Sequence, residues 1–224
     1  EEPIFPEPLT RTAGADPMVR EADADLGSLS AKYESRGDFT AYGRDRTGGP
    51  SYGKYQIATK TGTFNNYMDF LRKNHPDTYK LLQEAGGGAG ARAGSAAFKT
   101  AFKKIMSDPK HAQTQHEFIK ATHYDKAVKK LGSAFNERSA SKSMKDVVWS
   151  LAVQHGGGGA TKIYKRAAQR VGPSASEREL IIAIYEERSA NNGKKYFGRS
   201  TAQVQASVVR RFNSELQDVL KGLA

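Results

Sequence analysis

Glu34, Asp38 and Asp45 are the residues of this chain whose types and spacing suit acid–base chemistry on a glycosidic bond. Such cleavage needs a protonated carboxyl at the leaving oxygen and a second carboxylate on the other face of the sugar, acting on water or on the ring. Leu26, Leu29 and Tyr33 recur at offsets of three and four and predict a short amphipathic helix, with Asp25 or Ser28 available as its cap. Glu34 then falls in the last turn, where the negative end of the helix dipole favours the protonated acid. Gly37, Gly43, Gly48, Gly49, Pro50 and Gly53 punctuate the segment that follows, and Tyr42, Tyr52, Tyr55 and Ile57 give it strand character. A small, irregular β-hairpin or sheet bearing Asp38 and Asp45 is expected there. The same residues admit a plainer reading, with Glu34 a surface helix-end residue and Asp45 a turn former.

The elements that must position this pair are mostly helical. Phe64, Tyr67, Met68, Phe70 and Leu71 predict a helix stopped by His75-Pro76, and Tyr79, Leu81 and Leu82 start another. The run Gly86-Gly87-Gly88-Ala89-Gly90 is expected to be too flexible for regular structure, either a loop bordering a cleft or an idle surface loop. Phe98, Phe102 and Ile105 continue the helical series, followed by Met144, Val147, Val148, Leu151 and Ala152, then Leu180, Ile181, Ile184 and Tyr185. Val204, Val208, Phe212, Leu216, Val219 and Leu220 define a long C-terminal helix. The fold class is α+β and mainly helical, with one small β element near the N-terminus. Pro3, Pro6, Pro8 and Pro17 mark residues 1–19 as a linker or N-terminal arm, tethering the body or packing on it through Ile4, Phe5 and Leu9. Residues 20–224 are expected to form the main domain.

Composition excludes several chemistries. The 224 residues contain no cysteine, so disulfides and thiolate metal sites are absent. His111, His116 and His123 lie near Glu117 but lack the spacing of a His-Glu-x-x-His site, and neither metal nor cofactor is expected. Gly156-Gly157-Gly158-Gly159 follows a helix and lacks Gly-Lys-Ser/Thr order, so it is no phosphate loop, and no serine sits in a nucleophile elbow. A net charge of +11 attracts polyanions. Its lysines and arginines are interspersed with acids and apolar residues, as in residues 98–104 and 126–130, and no nucleic-acid motif accompanies them. An anionic wall polymer is an equally good partner, and no specific nucleic acid is expected. No apolar run reaches the roughly 18 residues of a membrane span, and Glu1 and Glu2 do not begin a secretory signal. The chain starts without methionine, as a processed or excised fragment would.

The run Tyr33-Glu34-Ser35-Arg36-Gly37-Asp38, followed by Gly48-Gly49-Pro50-Ser51-Tyr52-Gly53-Lys54-Tyr55-Gln56, resembles the lysozyme superfamily, in which Glu-Ser ends a helix and a Gly-x-x-Gln segment follows. It looks closest to the peptidoglycan hydrolase domains of phage lytic proteins and type VI secretion spike proteins, which are similar in fold to chitosanases. Gln115-His116-Glu117-Phe118-Ile119, residues 148–156, Ile184-Tyr185-Glu186-Glu187-Arg188 and residues 211–215 look like the later helices of that group. The likeness covers roughly residues 26–220.

That resemblance implies a two-lobed, lysozyme-like fold, a small β lobe beside a helical bundle, and a muramidase cleaving between N-acetylmuramic acid and N-acetylglucosamine. Glu34 would be the general acid. Asp45 would activate water and is preferred over Asp38, although Arg46 occupies the position where the family's second acid is expected. Room for a water between the carboxyls favours inversion. Tyr52 and Tyr55 would offer flat faces to sugar rings or fill the lobe's core, and Gln56 and Ser51 would meet polar sugar groups. Arg36 and Arg46 would bind the muramyl lactate or hold a carboxylate ionised. Gln154 and His155 close a helix and would touch substrate or cap that helix. The rival activities are lytic transglycosylation, which uses a lone Glu, and chitosan hydrolysis; the rival outside enzymes is a basic cell-wall-binding module. Made in a bacterial cytoplasm and acting on the wall, such a protein is expected to be secreted, virion-associated or delivered to the periplasm. A phage tail or secretion spike would carry it, and an immunity protein would be a further partner.

Overall fold

The structure, a computed structural model, describes residues 26–31 and 38–223. Glu34, Arg36 and the proline-bearing residues 1–19 lie outside the described residues. The described chain forms two compact units, one of residue 31 with residues 38–122 and one of residues 26–30 with 123–223.

The first unit opens with a three-stranded antiparallel sheet in the order β1 (Tyr42–Asp45), β2 (Gly49–Tyr52), β3 (Ile57–Ala58). Tyr42 stands opposite Tyr52, Asp45 opposite Gly49 and Ser51 opposite Ala58. Five helices follow: α2 (Thr63–Asn74), α3 (Pro76–Glu84), α4 (Gly87–Ala93), α5 (Ala96–Met106) and α6 (Pro109–Ile119). Pro76 ends α2 and starts α3 because it has no N–H for a helix interior but suits a first turn. The side chains of Ser95 and Asp108 accept from the N–H groups of Phe98 and Lys110 and so cap α5 and α6.

Tyr52 is the hub of this unit's core. Its ring has no exposed surface and lies 5.1–5.3 Å, centroid to centroid, from Tyr42, Phe64, Phe98 and Phe102. Its hydroxyl donates to the carbonyl of Ala91 at 2.7 Å, which satisfies the one polar atom that burial would otherwise strand. The expectation that Tyr52 stacks on a sugar gives way to the core role, because no face of its ring is open.

The glycine run at residues 86–90 is helical, not loop: Gly87, Gly88 and Gly90 lie in α4. Packing overrides propensity here, since a Cβ on Gly88 would come 2.3 Å from Asn65 Oδ1 and one on Gly90 3.2 Å from Phe98. The missing side chains let α4 approach closely enough for Ala91 to meet Tyr52.

The second unit contains all but the last residue of α1 (Ser28–Ala31) with the turn before it, α7 (Asp125–Leu131), α8 (Lys142–Val171), α9 (Glu177–Arg188) and α10 (Ala202–Gly222). A π-helical turn, Lys120–Tyr124, carries the chain into it. The glycine run at 156–159, expected to end a helix, only kinks α8. Gly156 alone leaves helical geometry (φ 70°, ψ 172°), and the buried residues Ala160, Ile163, Tyr164 and Ala167 hold the continuation in place. Ser176 and Glu179 form a reciprocal capping box at the start of α9. The turn into α1 is docked on α8: the Gly27 N–H donates to Asp146 Oδ1 at 2.8 Å, and Lys142 Nζ donates to Ser28 Oγ at 2.9 Å. The described fold is thus mainly helical with one small antiparallel sheet.

Candidate active site

Side chains alternate across a strand, so Gly43 and Asp45 lie on the face of β1 opposite Tyr42 and Arg44. Asp45 is half-buried at the end of β1, and its Oδ1 accepts from the N–H of Gly48, closing the turn through the exposed Arg46. Gln56 has a left-handed backbone (φ 49°), uncommon for a residue with a side chain. Its Nε2 donates to the Gly53 carbonyl at 2.8 Å, and its Oε1 lies 2.1 Å from where a Gly43 Cβ would stand. Only glycine at position 43 lets this amide lie across β1, on the Asp45 side. Ser51, opposite Gly43, is buried and donates to the Gly49 carbonyl at 3.2 Å. The structure therefore brings Asp45, Gln56 and Ser51 to one face of the sheet.

Asp38 is exposed and accepts at Oδ1 from both the hydroxyl of Thr40 (2.7 Å) and its N–H (2.8 Å). These two bonds, with a smaller contribution from Lys103 and against a slight burial effect, hold its carboxyl below the usual range.

Three consecutive residues of α6 fix the surroundings of the hairpin. Gln115 is fully buried; its Oε1 accepts from the Lys54 N–H at 3.1 Å and its Nε2 donates to the Phe39 carbonyl at 2.9 Å. Gly53 packs against this amide, since a Cβ there would come 2.1 Å from Gln115 Oε1. His116 Nδ1 pairs with the Tyr55 hydroxyl at 3.0 Å, and Glu117 pairs with His75 Nε2. The Tyr55 ring is itself buried. Successive helix residues point about 100° apart, so three polar residues in a row cannot share a solvent face, and that signal was present in the sequence. Gln115 bridges the entry to β1 and the exit from β2 and so positions the segment carrying Asp45 and Gln56.

In the second unit Gln154 is buried on α8, and His155, just before the kink, belongs to an ionic core. Arg188, with no exposed surface, donates from Nε to His155 Nε2 at 3.1 Å and from Nη1 to Ser150 Oγ at 3.0 Å. The imidazole also packs 5.6–5.9 Å from the rings of Tyr196, Phe197 and Phe212. Burial, then the charges of Arg188 and Arg211, hold His155 well below the usual histidine range, so it is neutral. Its Nε2 lone pair is spent on Arg188, a role distinct from the helix cap or substrate contact read from sequence.

His111 Nδ1 meets Thr78 Oγ1 at 2.7 Å. Among the described residues no three His, Cys, Asp or Glu converge to hold a metal, and no helix is long and apolar enough to cross a membrane.

A mainly helical α+β fold with an acid-bearing hairpin clamped by α6 defines the class of this chain. Over residues 26–216 it matches the family described as type VI secretion system spike protein VgrG3-like, C-terminal, and it belongs to that family. It is similar to the type VI secretion system spike protein VgrG3 of Vibrio cholerae serotype O1, with 26% identity over 204 residues, which are 88% of this chain and 18% of the relative. The chain thus spans less than a fifth of that relative's length.

Proposed function

We propose that this chain is a peptidoglycan-cleaving domain, a muramidase in which Glu34 protonates the glycosidic oxygen and Asp45 acts on the attacking water. The observation that carries this reading is the half-exposed Asp45, fixed by the Gly48 N–H on the same sheet face as Gln56 and following Glu34 closely in the chain. A carboxylate held by a backbone N–H keeps its direction, as a base must. Gln56, with its amide laid across Gly43, is suited to an N-acetyl group. Membership in a family named for a secretion spike supports delivery by such a spike into the periplasm of a target cell. Chitosan, a polycation, is a poor substrate for a chain of charge +11.

The test is clearing of purified sacculi by the wild type, Glu34→Gln and Asp45→Asn. Loss with both substitutions supports the assignment, and equal clearing by wild type and Glu34→Gln refutes the acid. One observation favours a second reading. The Asp45 carboxylate already closes the turn at Gly48, a structural task that leaves a lone Glu34 to serve as acid and base in lytic transglycosylation. Mass spectrometry separates the two: a 1,6-anhydromuramyl end means transglycosylation, and a reducing end means hydrolysis.

A further inference from the structure

Tyr42 is an exposed large aromatic of the first unit, 38% accessible on the edge strand β1. Lys99 Nζ stands 4.6 Å from its ring centroid, a cation–π contact that fixes the ammonium over the ring. The ring in turn packs edge-on against the immobile Tyr52 at 5.3 Å, and its hydroxyl lies 3.0 Å from where a Gly94 Cβ would stand. Arg44 is exposed and shares the Tyr42 face of β1, two residues along the strand. Among the described residues no carboxylate pairs with Lys99 or Arg44, whereas Lys103, one helical turn from Lys99, acts on Asp38. Two cations without a carboxylate partner among the described residues therefore flank a rigid, half-open aromatic ring.

We propose that Tyr42, Arg44 and Lys99 form an accessory subsite for the carboxylates of the peptides borne by the wall glycan. The proposal rests on the peptidoglycan reading above and extends it to specificity. Asp45 and Gln56 lie on one face of β1, and Tyr42 and Arg44 on the other. A substrate strand laid over this edge would present sugar to the first face and its anionic peptide branch to the second. A preformed platform costs little ordering on binding, and the two cations supply charge complementarity.

The experiment measures binding, in a Glu34→Gln background so that the polymer is not consumed. Co-sedimentation is compared on intact sacculi, on sacculi stripped of peptides by an amidase, and on teichoic acid. The variants are Lys99→Met, Arg44→Gln and their combination, surface changes whose fold is checked by circular dichroism. The combined variant is expected to bind intact sacculi three- to tenfold more weakly, the range for loss of exposed ion pairs. It should bind stripped glycan as the parent does, and the difference should shrink at high salt. An equal loss on stripped glycan, no loss on intact sacculi, no binding by the parent, or a loss seen only with teichoic acid each overturns the proposal. Failure of the wild type to clear sacculi would instead sink the hydrolase reading while leaving this binding contrast readable.

Discussion

Arg188 donates its Nε–H to His155 Nε2 across 3.1 Å, and that bond selects the neutral imidazole with its proton on Nδ1. Protonating His155 would set a second cation against a guanidinium that has no exposure. The folded-state pKa is depressed, so between that value and the unfolded value near 6.5 the unfolded chain binds a proton that the folded chain does not. Stability contributed by this group is complete above about pH 6.5 and falls as pH drops, by up to about 1.4 kcal/mol per pH unit. Urea denaturation of the wild type at pH 7.5 and pH 5 should show this loss, and His155→Gln should flatten it. An unchanged acid slope would contradict the assignment.

Arg188 also faces Glu215, with Nη1 3.7 Å from Oε1, while Tyr185 donates to the same oxygen at 2.7 Å and Arg211 Nε stands 3.7 Å from Oε2. Both members of the pair are fully buried. Arg188→Met leaves buried Glu215 with one of its two arginine partners and should cost about 3–5 kcal/mol of unfolding free energy. Arg188→Met with Glu215→Leu removes both charges and should be clearly more stable than the sum of the single losses requires. Thermal melts of the four proteins give the coupling directly.

Gly27 adopts φ 78°, and a Cβ there would come 2.5 Å from the Trp149 indole. Gly27→Ala therefore combines backbone strain with a clash against an immobile ring and should destabilise by more than about 1 kcal/mol. Under the proposed mechanism this turn begins the segment that leads to Glu34. Clearing of sacculi should accordingly fall further in Gly27→Ala than in Asp146→Asn, which keeps an acceptor for the Gly27 N–H.

The periodic parts of the fold were legible because burial leaves a regular trace: the α2 stop at His75-Pro76, the apolar stripe of α10 and the strand pair around Tyr42 and Tyr52 follow directly from residue order. The glycine runs misled because propensity is local while close packing is not. Gly88 and Gly90 are helical on account of Asn65 and Phe98, which lie outside the glycine run. In the site, Asp45 and Gln56 stood out by type. The exposure of Tyr42 and the burial of Tyr52 depend on which tyrosine lies under α4 and α5, and strand alternation cannot distinguish two residues paired on the same face. Gln115 was visible only through its motif and its place in a run of three polar residues, because its two partners are backbone groups with no side-chain signature.

Gln115 offers a test in which chemistry and position separate. In Gln115→Glu the carboxylate still accepts from the Lys54 N–H but has nothing to donate to the Phe39 carbonyl, so two oxygens face each other where the wild type has a 2.9 Å bond. The loss at pH 7 should be about 1–3 kcal/mol or more, since an acceptor and a charge are both left buried. Burial and the facing carbonyl raise the pKa of the new acid, and its protonated form can donate to Phe39. A raised carboxyl pKa gives stability that is present at low pH and lost as pH rises through it. The melting temperature of Gln115→Glu should therefore approach that of the wild type as pH falls from 7 toward 5, whereas Gln115→Ala, which can form neither bond, should stay low across the same range. A pH-independent gap between Gln115→Glu and the wild type would remove Gln115 as the clamp on the hairpin.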